Sequence, residues 1–178
     1  MKKLIIGATG SIGSALSRKL VSQGKQVHLV GRNESETSAL AKELNSTFTV
    51  ADVLTENYSD QIISDAGDID GLAFCVGSID LKPIRLSKKS DYMQSFNLNL
   101  ISATEIIRAC HEKLKSNKGS IILFSTVAAK RGFLNHSIIS SAKAAVEGLT
   151  VALAAEFAPN IRVNSVSYTH LRAHETSI

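Results

Sequence analysis

Residues 3–13, KLIIGATGSIG, constrain the fold more than any other stretch of the chain. Leu4, Ile5 and Ile6 form a short apolar run bounded by turn residues, the pattern of a strand buried on both faces of a parallel sheet. Gly7, Gly10 and Gly13 follow at steps of three and open into a helical pattern. In a strand-turn-helix unit Gly7 allows the tight turn, Gly10 lets backbone approach a pyrophosphate, and Gly13 lets helix pack on strand. The phosphates then sit on the helix N-terminus, where unpaired N–H groups and the positive end of the helix dipole favour an anion. The cradle so predicted comprises Gly7, Thr9, Gly10, Ser11, Ile12 and Gly13, with the hydroxyls of Thr9 and Ser11 as added donors. A plain tight turn has the same spacing, so the glycines carry weight only with a strand before them and an amphipathic helix after.

The remainder of the chain supplies that context. Ala15, Leu16, Leu20 and Val21 share a helical face and Gly24 stops the helix. Residues 26–30 alternate as a second strand and end at Gly31, Arg32 and Asn33. An acidic residue at that position holds the ribose 2′-hydroxyl of NAD, whereas an arginine suits the 2′-phosphate of NADP. The first acid is Glu34, so Arg32 favours NADP over NAD, against the plainer reading of a solvated loop charge. A short helix over 38–44 and a third strand over 47–51 lead to Asp52, which either accepts a hydrogen bond from an adenine amino group or caps the following turn. A weak helix over 57–64 precedes an apolar strand over 71–76 that ends at Gly77. A long helix over 91–114 carries Asn97 and Asn99, and asparagine is a poor helix-interior residue, which singles out Asn99. A strand over 119–124 ends in Ser125 and Thr126, a second long helix runs over 138–157 to Pro159, and a sixth strand covers 161–166. The alternation predicts an α/β, Rossmann-like, doubly wound parallel sheet of about six strands with helices on both faces and ligands at the strands' carboxyl ends.

Composition sets wide bounds. A chain of 178 residues suits one domain and buries roughly 70% of its unfolded surface. The net charge of +4 is dispersed and gives no sign of a nucleic-acid surface, though a mildly positive field attracts a phosphorylated cofactor. Cys75 and Cys110 lack metal-like spacing and read as reduced core residues, which with the short apolar run before Gly7 places the chain in the cytoplasm. No stretch reads as long enough to span a bilayer.

Residues 3–167 together resemble the short-chain dehydrogenase/reductase family, through GATGSIG, the DV after the third strand, FNLNL, GSIILFST, SAKAAVEGL and NIRVNSVS. The resemblance implies oxidation or reduction of a small-molecule alcohol/carbonyl pair with NAD(P), and self-association through the two long helices. In the family a Tyr-x-x-x-Lys pair on the second long helix is assisted by a serine at the end of the preceding strand and an asparagine on the first long helix. Lys143 matches the lysine, which also binds the nicotinamide ribose, Asn99 matches the asparagine, and Thr126 stands where the family has serine. Ile139 occupies the tyrosine's position and has no proton to exchange, so little or no turnover is expected; a non-catalytic dinucleotide-binding module or partner subunit is the alternative. His136 is a candidate substitute, since imidazole is a common proton carrier, but a loop histidine facing water is the reading favoured for it. Ser11 stands where the common spacing has the middle glycine, and Cys75-Val76-Gly77 replaces asparagine-alanine-glycine, so only Gly77 carries over as a cofactor contact. The family's substrate lid and seventh strand are not matched after residue 167, which predicts a C-terminally incomplete domain over 1–167 and a non-native tail over 168–178. His170 and His174 have the spacing of a zinc pair without a third ligand, and no metal is expected.

Overall fold

The computed structural model describes residues 1–168. Six strands, β1 (Lys2–Ile6), β2 (Gln26–Gly31), β3 (Thr47–Val50), β4 (Ile69–Phe74), β5 (Ser120–Thr126) and β6 (Arg162–Tyr168), form one sheet. Its order is β3-β2-β1-β4-β5-β6 and every pairing is parallel. The chain leaves β1 toward β2 on one side and returns to β4 on the other, so the topological switch lies at the carboxyl ends of β1 and β4. The Rossmann-like α/β fold expected from the sequence is thus the one observed.

Strand alternation sorts the core into two layers. Leu4 and Ile6 of β1 join Leu72, Phe74, Ile121 and Leu123 against α3 (Tyr58–Ala66), α5 (Ser102–Ser116) and α6 (Ser137–Phe157). Ile5 points the opposite way and packs with Val27, Leu29 and Ala73 under α1 (Ser11–Ser22) and α2 (Glu34–Leu44). Each of these Val, Leu, Ile and Phe side chains contributes about 1.5–3 kcal/mol on burial.

Local chemistry moved several element ends. The second helix starts at Glu34 rather than 38, because the Asn33 side chain accepts from the Glu36 amide at 3.1 Å and caps it. The long helix expected over 91–114 is α4 (Lys89–Phe96), a π-helical turn (Asn97–Ile101) and α5. The turn falls where two asparagines weaken the α ladder and where Ser102 Oγ bonds the Leu98 carbonyl at 2.8 Å.

One expectation about the long helices is corrected, and another gains structural detail. By length and composition α6 is long and apolar enough to cross a membrane, which the sequence reading did not find; in the fold its Ile138, Ile139, Ala142 and Val146 face is buried on the sheet side. The apolar faces expected to pair between subunits also serve the chain's own core: Ala103, Ile107, Leu114 and Val146 are buried in it, and Leu100, Leu149, Leu153 and Phe157 pack against it partly buried. The outward apolar residues on these elements are Met93, Ile101 and Val151, at 55%, 45% and 72% exposure.

Candidate active site

The glycine turn is built as its spacing demands. Gly7 has a φ of +79°, a left-handed conformation that side chains resist, and its amide and that of Ala8 both donate to the Val30 carbonyl. A Cβ on Gly13 would stand 2.2 Å from the Gly7 carbonyl oxygen and 2.9 Å from Ala8 Cα, so only glycine lets α1 approach β1 this closely. Helix α1 then begins at Ser11 with Gly10 as an N-cap that lends no side-chain acceptor to the first-turn amides.

A crevice of about 400 Å³ opens at the switch point, and Gly10, Ser11 and Ile12 form one of its walls. The opposite wall comes from Thr126, Lys143 and Ile139, with Gly77 between. Six positions singled out in the sequence therefore meet in one cavity: Gly10, Ser11, Ile12, Gly77, Thr126 and Lys143. Gly7 and Gly13 shape the turn from behind. Thr9 faces a separate groove between α1 and α2, beside Arg18 and Glu36.

Asn99 lies beneath Gly77, fully buried, with Nδ2 donating to the Ser95 carbonyl at 2.9 Å. Its Oδ1 is buried without a hydrogen-bond partner. A Cβ on Gly77 would come within 2.9 Å of that oxygen and 3.3 Å of Lys143 Nζ, so Asn99 and Lys143 converge on the one point where the backbone carries no side chain. Burial pulls the Lys143 ammonium down to about 8, with Cys75 opposing the shift. The Thr126 hydroxyl accepts from the Ala128 amide at 3.3 Å and keeps its own proton to donate. Ser125 is otherwise engaged, donating to Glu147 Oε1 at 2.8 Å.

Arg32 and Asp52 stand together at the edge of the sheet beyond the glycine turn, 4.0 Å apart and solvent-exposed. Asp52 Oδ1 accepts from the Leu54 amide at 2.9 Å, the turn-capping role, while Oδ2 faces Arg32. Among the described residues no cluster of His, Cys, Asp and Glu is arranged to hold a metal ion. His170 and His174 lie outside the described residues.

Three side chains lie elsewhere than the sequence suggested. Cys75 is only partly buried and lines the crevice, its thiol pushed up to about 12 by burial, whereas Cys110 is the core residue expected. His136 does not face bulk water alone: it is half-buried and forms part of the crevice wall. Tyr168, assigned to the tail, continues β6 opposite Thr126 and also borders the crevice. Its position opposite the well-marked end of β5 was the available signal.

A doubly wound sheet with a glycine-turn crevice at its switch point defines a dinucleotide-binding protein of the Rossmann type. The sequence pattern of the short chain dehydrogenase family matches residues 2–174, and the chain belongs to that family. The L-xylulose reductase of Bos taurus is 30% identical over 172 residues, covering 94% of this chain and 70% of that protein. A tropinone reductase homolog of Arabidopsis thaliana is 31% identical over 181 residues, covering 95% and 69%. A solved short chain dehydrogenase/reductase family protein superposes with a TM-score of 0.89 at 29% identity, covering 94% of this chain and 73% of its own. Members of the family are oxidoreductases that use NAD(P) and act on small-molecule alcohols or carbonyls.

The residues present fit such a cofactor. Main-chain amides at the start of α1 suit a pyrophosphate, the side-chain-free surface at Gly77 admits a flat group, and the Asn99 oxygen and Lys143 ammonium supply polar atoms beneath it. Bound there, the cofactor supplies or accepts a hydride.

Proposed function

We propose that the chain is an NADP(H)-dependent oxidoreductase acting on a small-molecule alcohol/carbonyl pair. The observation that carries this reading is the convergence of the α1 N-terminus, Gly77 and Lys143 on one crevice at the switch point. In it Gly10, Ser11 and Ile12 hold the pyrophosphate, Lys143 holds the nicotinamide ribose, and Thr126 donates to the substrate oxygen. Asn99 supports Lys143 from beneath. Arg32 takes the 2′-phosphate: its guanidinium is exposed and its ion pair with Asp52 is 4.0 Å long, which leaves donors for a dianion. Asp52 has an oxygen turned toward the same edge to meet the adenine amino group.

The alternative, a non-catalytic dinucleotide-binding module or partner subunit, is favoured by one observation, the isoleucine at position 139. Both readings require the cofactor. Fluorescence titration of the chain with NADPH and NADH is expected to give at least tenfold tighter binding of NADPH, and Arg32→Ala to remove most of that preference. Equal, negligible affinity for the two dinucleotides contradicts both readings. Self-association through the outward sides of α5 and α6 and a cytoplasmic location belong to the same proposal.

A further inference from the structure

An oxidoreductase site without the family's tyrosine needs another carrier for the proton at the substrate oxygen. Resting on the NADP(H) reading above, we propose that His136 is that carrier, through Nε2. His136 precedes the first residue of α6 as its N-cap, three positions before Ile139 and seven before Lys143. Along the helix axis Ile139 lies between His136 and Lys143. All three line the crevice together with Thr126. His136 also borders the neighbouring groove lined by Ile84 and Phe133, so its ring is shared by the crevice and that groove.

The ring is oriented and its proton site is defined. Nδ1 lies 2.6 Å from the Leu134 carbonyl oxygen, which can only accept, so Nδ1 carries a hydrogen in both protonation states. That leaves Nε2 as the atom that gains and loses the proton, its role set by the hydrogen bond of the other nitrogen. The Phe133 ring, with centroids 5.4 Å apart, holds the imidazole from one side. The charged and titratable groups facing His136 are Lys82, Lys130 and Arg131 across the groove and Lys143, Cys75 and Tyr168 in the crevice.

In the reducing direction a bound reduced nicotinamide would supply the hydride, and with it the two electrons, for the new C–H bond at the carbonyl carbon. The π pair of the broken C=O bond passes to oxygen, which takes the proton from His136 Nε2. The neutral imidazole keeps its Nδ1–H on Leu134, and Thr126 steadies the oxygen by donating its hydroxyl hydrogen. Oxidation of an alcohol runs the same transfers backward, with neutral Nε2 accepting.

His136→Asn, which keeps a good N-cap, tests this on the full chain. NADPH titration should give affinities within about twofold for the two proteins. Turnover of a panel of aldehydes and ketones with NADPH at pH 6 should fall at least about 100-fold in the variant. Independently of activity, long-range ¹H–¹⁵N spectra at pH 8 should show the Nδ1–H tautomer for the signal absent from the variant. Equal turnover in the two proteins, no turnover by an unmodified chain that binds NADPH, or the Nε2–H tautomer each overturns the proposal while leaving the cofactor reading intact. Failure of the unmodified chain to bind NADPH overturns the reading beneath it.

Discussion

At the scale of single residues, the site depends on places where a side chain is missing as much as on places where one is present. Gly13→Ala puts a Cβ against two backbone atoms that cannot move aside. It should cost about 1–3 kcal/mol of stability, read as a lowered urea midpoint, and weaken NADPH binding at least tenfold. An unchanged midpoint would mean that α1 and β1 are not as close as described. Ile139 is the converse case, a buried aliphatic side chain in the wall of the crevice. Ile139→Tyr should raise NADPH-dependent carbonyl turnover and carry it to higher pH than the unmodified chain sustains; a steady-state pH profile of both proteins checks this. Much of this scale was legible in advance. Glycine spacing announced the turn, and Lys143, Thr126 and Asn99 could be placed by the motifs around them. The facing of His136 could not, because the residue is set by the backbone entering α6 and by the Leu134 carbonyl, neither of which leaves a mark in the local pattern.

Among the elements, the strands were the easiest to read and the helix joints the hardest. Uninterrupted apolar runs such as those of β1 and β4 announce strands buried on both faces. The π-helical turn at Asn97–Ile101 leaves no periodic signal, since it inserts a single residue into an otherwise continuous helix. Its consequence is chemical: Asn99 is buried with Oδ1 beneath Gly77 instead of on the helix surface. The long helices also taught that an apolar stripe in a sequence does not say whether it meets the same chain or another copy. The stripe on α5 and α6 is internal, so the proposed pairing between subunits rests on the outward residues Ile101 and Val151. Val151→Glu should therefore reduce the sedimenting species to the 19.0 kDa chain, and a distribution unchanged by the substitution would contradict pairing through this face.

At the scale of the whole molecule, one buried histidine ties stability to pH. His28 is sealed between β2 and β3, with Nδ1 2.8 Å from Thr47 Oγ1 and Nε2 2.9 Å from Thr49 Oγ1. The Thr49 hydroxyl donates to Asp65 at 2.8 Å, so it accepts from Nε2–H, and Nδ1 accepts from Thr47. Desolvation above all, then Lys2, lowers the His28 imidazole to about 4. The unfolded chain takes up this proton near 6.5 and the folded one only near 4. Stability is therefore fully present above about pH 6.5 and is lost as pH falls toward 4. Between pH 7 and pH 5 the loss should be about 2 kcal/mol, measured as the shift in urea denaturation; a flat profile over that interval would contradict the buried, neutral histidine. The strand order that seals His28 also sets the crevice at the switch point between β1 and β4, and the claim on which the functional account rests can be measured there. In backbone amide NMR of the chain titrated with NADPH, the largest shifts should fall on Gly10, Ser11, Ile12 and Gly77. Shifts absent from these amides at saturating NADPH, or confined to other surfaces, would contradict it.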